Sequence, residues 1–192
     1  DPGDYVDPRL IKRSAGFCHF GVATAKMAVK DADIDISREK SSRCGVCFGT
    51  TIGAENDIYE HQHRRFLEFG PKAVGRYTAP EVTPHVATGY ICSELKITGP
   101  NSTLSSGCSS GLDIVNWGYS MIRGGEVDMA VVGCADSMIF PFAMSTFCSL
   151  GILSKRNEEP EKASRPYDND RDGLVASEGG VSIVVEDLNH AL

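Results

Sequence analysis

The sequence predicts an α/β protein built on a largely parallel sheet with helices on both faces. Three observations carry this. Val127-Asp-Met-Ala-Val-Val-Gly133 is a nearly continuous apolar run of strand length, as expected of a parallel strand covered on both sides. Gly180-Val-Ser-Ile-Val-Val-Glu186 is a second such run, and Cys44-Gly-Val-Cys-Phe-Gly49 reads as a third. Segments with helical spacing separate them, so strands alternate with helices along the chain.

Taken in order, Asp4 to Ser14 is polar and irregular, and Asp7-Pro8 signals a helix start. Phe17, Phe20, Ala23, Ala25, Met27, Ala28 and Ala32 give a broad apolar helical face. Asp33 to Arg43 is a polar loop before the Cys44–Gly49 strand, and Thr50-Thr-Ile-Gly53 forms a small-residue turn after that strand. Asp57 to Phe69 is a charged helix ended by Gly70-Pro71, and His85 to Leu95 is a shorter one. A β-prone run, Ser102 to Ser105, leads into Gly107-Cys-Ser-Ser-Gly111. Leu112, Val115, Tyr119 and Ile122 then mark one face of a helix that ends at Gly124-Gly125. Ala135 to Gly151 is small and aromatic, broken by Pro141, and Ser154 to Asp172 is a polar loop before the last strand. The chain opens on Asp1-Pro2 with no strand ahead of its first helix and stops as a helix begins at Asn189. It is expected to be an internal piece of a longer protein.

With 192 residues the chain is long enough to bury a core. A net charge of −7 argues against nucleic-acid and anionic-membrane surfaces. No apolar run approaches the ~20 residues of a membrane span. Seven cysteines, an odd number without framework spacing, suit a reducing compartment, and a cytoplasmic location is expected.

Cys108 stands where a strand turns into a helix. Free backbone N–H groups and the positive end of the helix dipole favour an anion there. Helix N-termini can bring a cysteine pKa from about 8.5 into the range ~3.5–7.5. Ser106, Gly107, Ser109, Ser110 and Gly111 leave room for a substrate. From the residues alone, a nucleophilic cysteine and a buried structural cysteine in a packing turn both remain open.

Other motifs point to structure rather than chemistry. Asp168-Asn-Asp-Arg-Asp-Gly173 matches the first half of a calcium loop, but the twelfth position is Gly179 where a bidentate Glu is needed. A turn with paired Asp and Arg side chains is expected. Cys44-Gly-Val-Cys47 in a strand would place its sulfurs on opposite faces, which suits core packing and not zinc or redox chemistry. Asn101-Ser102-Thr103 fits a glycosylation sequon by chance. His61 and His63 lie on a charged helix and are expected to be solvated, and His85 alone is kept as a pocket candidate. No metal site and no cofactor are expected.

Gly99-Pro-Asn-Ser-Thr-Leu-Ser-Ser-Gly-Cys-Ser-Ser-Gly111 resembles the nucleophile stretch of the β-ketoacyl synthases, the condensing enzymes of fatty acid and polyketide synthesis. Val127 to Asp136 resembles the family's strand after the nucleophile helix. Leu153-Ser-Lys-Arg-Asn157 and Ala163 to Gly180 resemble its signature loop, which accounts for the apparent calcium motif. Phe48 to Gly53 and Gly70-Pro71 extend the likeness upstream, closest to the elongating type II class.

The resemblance implies a thiolase-like fold, two related α/β halves stacked in layers αβαβα, with residues 1–192 as most of the N-terminal half. It implies Cys108 as nucleophile, acyl carrier protein as partner, and malonyl and acyl thioesters as substrates. The reaction implied is decarboxylative condensation to a 3-ketoacyl thioester. The family's catalytic histidines and lysine belong to the second half and match no residue here. Thr83 lies near a position that varies with acyl chain length, and Leu174 stands where many members carry Phe. Both are expected to line an acyl pocket. The sheet edge next to the elbow strand implies a homodimer, or a heterodimer with a chain-length partner. A non-catalytic ketosynthase-like subunit and a coenzyme A-dependent thiolase are the alternatives.

Overall fold

The computed structural model describes residues 2–53 and 57–192, so Asp1 of the opening stretch lies outside it. Two compact units divide the chain. Of the described residues, those up to 137 and 179–192 belong to the first, and residues 138–178 form the second, inserted in sequence between two strands.

The first unit contains β1 (Cys44–Gly49), β2 (Asn101–Leu104), β3 (Met129–Asp136) and β4 (Gly179–Glu186), in the spatial order β2-β1-β3-β4. β1 runs parallel to both β2 and β3, whereas β3 and β4 are antiparallel. The predicted largely parallel sheet is therefore mixed, with one antiparallel edge. Its helices are α1 (Pro8–Ile11), α2 (Gly16–Asp31), α3 (Asp57–Phe69), α4 (Thr78–Glu81), α5 (Val86–Leu95), α6 (Ser110–Arg123) and the later Leu188–Ala191 turn.

The pleat sorts the strands between two cores. Cys44, Val46 and Phe48 of β1 pack with Met129, Val131 and Ala135 of β3 against Phe17, Cys18, Val22 and Ala25 of α2 and against Ala87 and Ile91 of α5. Cys47, Ala130 and Val132 face the other way, against Ile114 of α6. Cys44 and Cys47 thus lie on opposite faces, as the alternation requires. Burial pushes both thiols up, to about 11 and about 12.

The apolar spacing that marked α6 as a helix does not mark its buried face. Leu112, Val115 and Tyr119 point to solvent, with Leu112 77% exposed. Ser110, Ile114 and Gly118 face the sheet instead. Small residues allow this close approach. A Cβ on Gly118 would stand 2.7 Å from Val132 Cγ1.

The second unit holds α7 (Pro141–Leu150) and the long loop after it. Pro141 starts this helix instead of breaking the segment, since a first-turn residue needs no N–H partner. In the loop, Asp172 accepts hydrogen bonds from Ser154 Oγ at 2.7 Å and from the Lys155 N–H at 3.1 Å, and it pairs with Arg156 at 3.5 Å. The calcium-like run is thereby tied as a polar turn. Among the described residues, no helix is long and apolar enough to cross a membrane.

Candidate functional site

The C-terminal ends of the parallel strands β1, β2 and β3 share one edge of the sheet, where open α/β sheets place their ligands. Between β2 and α6 the chain makes a tight elbow. Gly107 sits at φ +71°, a left-handed conformation that favours glycine. Cys108 follows it, exposed, and two residues later Ser110 opens α6.

Short hydrogen bonds fix the elbow. The buried Ser110 hydroxyl donates to the Gly107 carbonyl at 2.7 Å and accepts from the Ser106 N–H at 3.0 Å. The Ser110 N–H also donates to the Gly107 carbonyl, at 3.1 Å. The Ser106 hydroxyl donates to the Asp113 carboxylate, and the Ser109 hydroxyl donates to the Ser106 carbonyl at 3.1 Å.

A third donor reaches the same Gly107 oxygen from the turn after β1: the Thr51 hydroxyl, at 3.1 Å. That turn is itself held by Asp136, the last residue of β3. Its carboxylate accepts from the Thr50 hydroxyl at 2.8 Å, the Thr51 N–H at 3.0 Å and the Ile52 N–H at 2.9 Å.

Of the site residues expected from sequence, Cys108 lies in this elbow. Thr83 lies between α4 and α5, half-buried, with its hydroxyl donating to the Pro80 carbonyl at 2.6 Å. Leu174 belongs to the second unit, is 63% exposed, and pairs through its backbone with Ile152 and Ser154. His85 borders a cavity of about 580 Å³ with Arg13, Tyr90 and Glu94, and Cys108 is not among the residues lining it. His61 and His63 are exposed on α3.

Sequence reasoning placed Ser110 beside Cys108 but missed Thr51 and Asp136 as parts of the same site. The signal for both was present: a Thr-rich turn after one predicted strand, and an acid at the end of another. Only the β1–β3 pairing brings them together.

The site is thus an exposed cysteine on a strand-to-helix elbow, at one end of a mixed, mostly parallel sheet flanked by helices. Residues 4–191 match the family model "Beta-ketoacyl synthase, N-terminal domain", and the chain belongs to that family. It is 32% identical over 191 residues to 3-oxoacyl-[acyl-carrier-protein] synthase 2 of Vibrio cholerae, across 100% of this chain and 46% of the relative. It is 34% identical over 192 residues to a putative polyketide beta-ketoacyl synthase 1 of Streptomyces cyaneus, across 97% of this chain and 45% of the relative.

Among solved structures, the ishigamide ketosynthase/chain length factor superposes with a TM-score of 0.87 at 28% identity, covering 100% of this chain and 46% of that one. A type II PKS acyl-carrier protein in complex with its ketosynthase bound to the hexaketide gives 0.88 at 25% identity, over 96% of this chain and 46% of that one. The chain spans about half the length of the curated relatives it matches. The thiolase-like α/β architecture is thus shared along nearly the whole chain.

Proposed function

We propose that this chain is the nucleophile-bearing half of a β-ketoacyl synthase that takes an acyl group onto Cys108. The observation that carries this reading is an exposed thiol at the start of α6 whose preceding carbonyl is held by the Thr51 hydroxyl and by the N–H and hydroxyl of Ser110. Acylation forms a carbon–sulfur bond between Cys108 and the thioester carbonyl. The carrier thiol leaves with the proton that Cys108 gives up. The Cys108 N–H is one donor to the oxyanion that develops. In condensation, the malonyl thioester loses carbon dioxide, and its carbanion attacks the acyl-enzyme. A 3-ketoacyl thioester forms, and the Cys108 thiolate is expelled.

The remaining catalytic groups come, in this reading, from a second half packed on the first. The outward face of α6, with Leu112, Val115 and Tyr119, is the surface suited to that half. Acyl carrier protein is the proposed donor and acceptor, supported by the name of the Vibrio cholerae relative, 3-oxoacyl-[acyl-carrier-protein] synthase 2. β2 lies at a sheet edge, which supports pairing with a second subunit, the same chain or a chain-length partner. Thr83 is proposed to shape the acyl pocket.

Intact-mass spectrometry of the full-length protein with an acyl-carrier thioester tests the reading. An acyl-sized mass increase that maps to Cys108 and vanishes in Cys108→Ala is expected. Acylation that persists in Cys108→Ala refutes the nucleophile, and no acylation of the full-length wild type favours a non-catalytic subunit.

A further inference from the structure

Resting on the reading of Cys108 as the acylated nucleophile, we propose that Thr51 and Asp136 are positioning residues that aim the Cys108 backbone N–H at the thioester carbonyl oxygen. The structure has no cis peptide bonds among the described residues, so the Gly107 C=O and the Cys108 N–H point in opposite directions along one rigid plane. Whatever holds the Gly107 oxygen therefore sets the direction of the Cys108 N–H. Donors on that oxygen also polarise the peptide and strengthen its N–H as a donor.

Two of the donors belong to Ser110, the first residue of the helix that the elbow itself leads into. They tie the oxygen to the helix that the elbow leads into, whose first residue packs on the sheet. The Thr51 hydroxyl comes from 56 residues earlier in the chain and adds a hold from a separate turn, the one after β1. Thr51, however, lies exposed in a turn outside the regular elements. It needs an anchor of its own.

Asp136 supplies it. Its Oδ1 takes the Thr50 hydroxyl and the Ile52 N–H, and both carboxylate oxygens take the Thr51 N–H. Successive N–H groups converging on one carboxylate make a filled anion nest. Asp136 ends β3, which has β1 on one side and β4 on the other. Asp136 itself pairs in register with Gly179. Rigidity thus passes from the sheet centre through Asp136 and Thr51 to the Gly107 carbonyl, and across one peptide plane to the Cys108 N–H.

The test compares two reactions of Cys108 in the full-length protein: acylation by a short-chain N-acetylcysteamine thioester, and alkylation by iodoacetamide. Only acylation develops an oxyanion. Thr51→Val is expected to slow acylation by about 10- to 100-fold, less than the ~10²–10³ that follows outright loss of an oxyanion donor, while alkylation is unchanged. Thr51→Ser restores the hydroxyl and the rate. Asp136→Asn shows the Thr51→Val pattern, because its amide turns an N–H₂ toward N–H donors. Wild-type acylation rates in Thr51→Val overturn the inference and leave the nucleophile standing. Equal losses in both reactions also overturn it, since they report general distortion. A wild type that acylates at a residue other than Cys108 removes the underlying reading, and the inference with it.

Discussion

Two adjacent serines at the start of α6 should behave very differently. The Ser110 side chain is 1% exposed and bridges two backbone groups, the Ser106 N–H at 3.0 Å and the Gly107 carbonyl at 2.7 Å. Ser109 is exposed, and its hydroxyl donates to the Ser106 carbonyl at 3.1 Å. In Ser110→Ala the Gly107 carbonyl keeps the Thr51 hydroxyl and the Ser110 N–H, so its loss is small. The Ser106 N–H loses its acceptor. Two net hydrogen bonds amount to about 1–3 kcal/mol, and the partial replacement at Gly107 brings the figure to the lower half of that range. The better helix propensity of Ala returns about 0.5 kcal/mol. A net destabilisation of about 1 kcal/mol follows. Ser109→Ala is expected to stay within about 0.5 kcal/mol of wild type, as an exposed substitution does. Urea unfolding at unchanged slope reads both. If both variants unfold at the same midpoint, or Ser110→Ala is the more stable, the hydroxyl bridge does not hold the elbow.

Three further outcomes are expected. Brief iodoacetamide treatment of the native protein, followed by peptide mapping, should label the exposed Cys108 and Cys148 and spare Cys18, Cys44 and Cys47, whose thiols burial pushes up. Labelling of Cys47 ahead of Cys108 would contradict the burial of β1. His190 is held above the usual histidine range mainly by its hydrogen bond to Glu186 at 2.7 Å; burial opposes this, and the bond to Glu39 at 3.0 Å adds to it. The protonated form is thus favoured in the fold. This stabilisation is complete below the unfolded value of about 6.5 and is lost as pH rises through the folded one. Melting temperatures across that interval should fall for the wild type relative to His190→Gln, and parallel curves would remove His190 as the cause. On the acyl pocket, Thr83→Ile in the full-length protein should shift preference toward shorter acyl chains, and an unchanged profile over a chain-length panel would exclude Thr83.

Local pattern determined much of this protein. The apolar runs at Cys44–Gly49 and from Val127 onward became β1 and β3, and the Cys44/Cys47 alternation became two separate cores, because a strand's period of two needs no distant information. The elbow was equally legible: Gly107 at positive φ and small residues before a helical repeat describe a turn whose geometry is local. Family membership was legible for the same reason, in motifs that are contiguous runs. Tertiary structure alone decided the rest. The exposed face of α6 carries the apolar repeat, while Ser110 and Gly118 take the sheet face, because that face is chosen by how closely the helix must approach Val132. The antiparallel pairing of β4 with β3 is a matter of strand direction, which periodicity does not encode. Asp136, Thr51 and Gly107 meet only because β1 lies between β2 and β3, so residues 85 and 56 positions apart become hydrogen-bond partners. No spacing rule along the chain can anticipate a contact that sheet order creates.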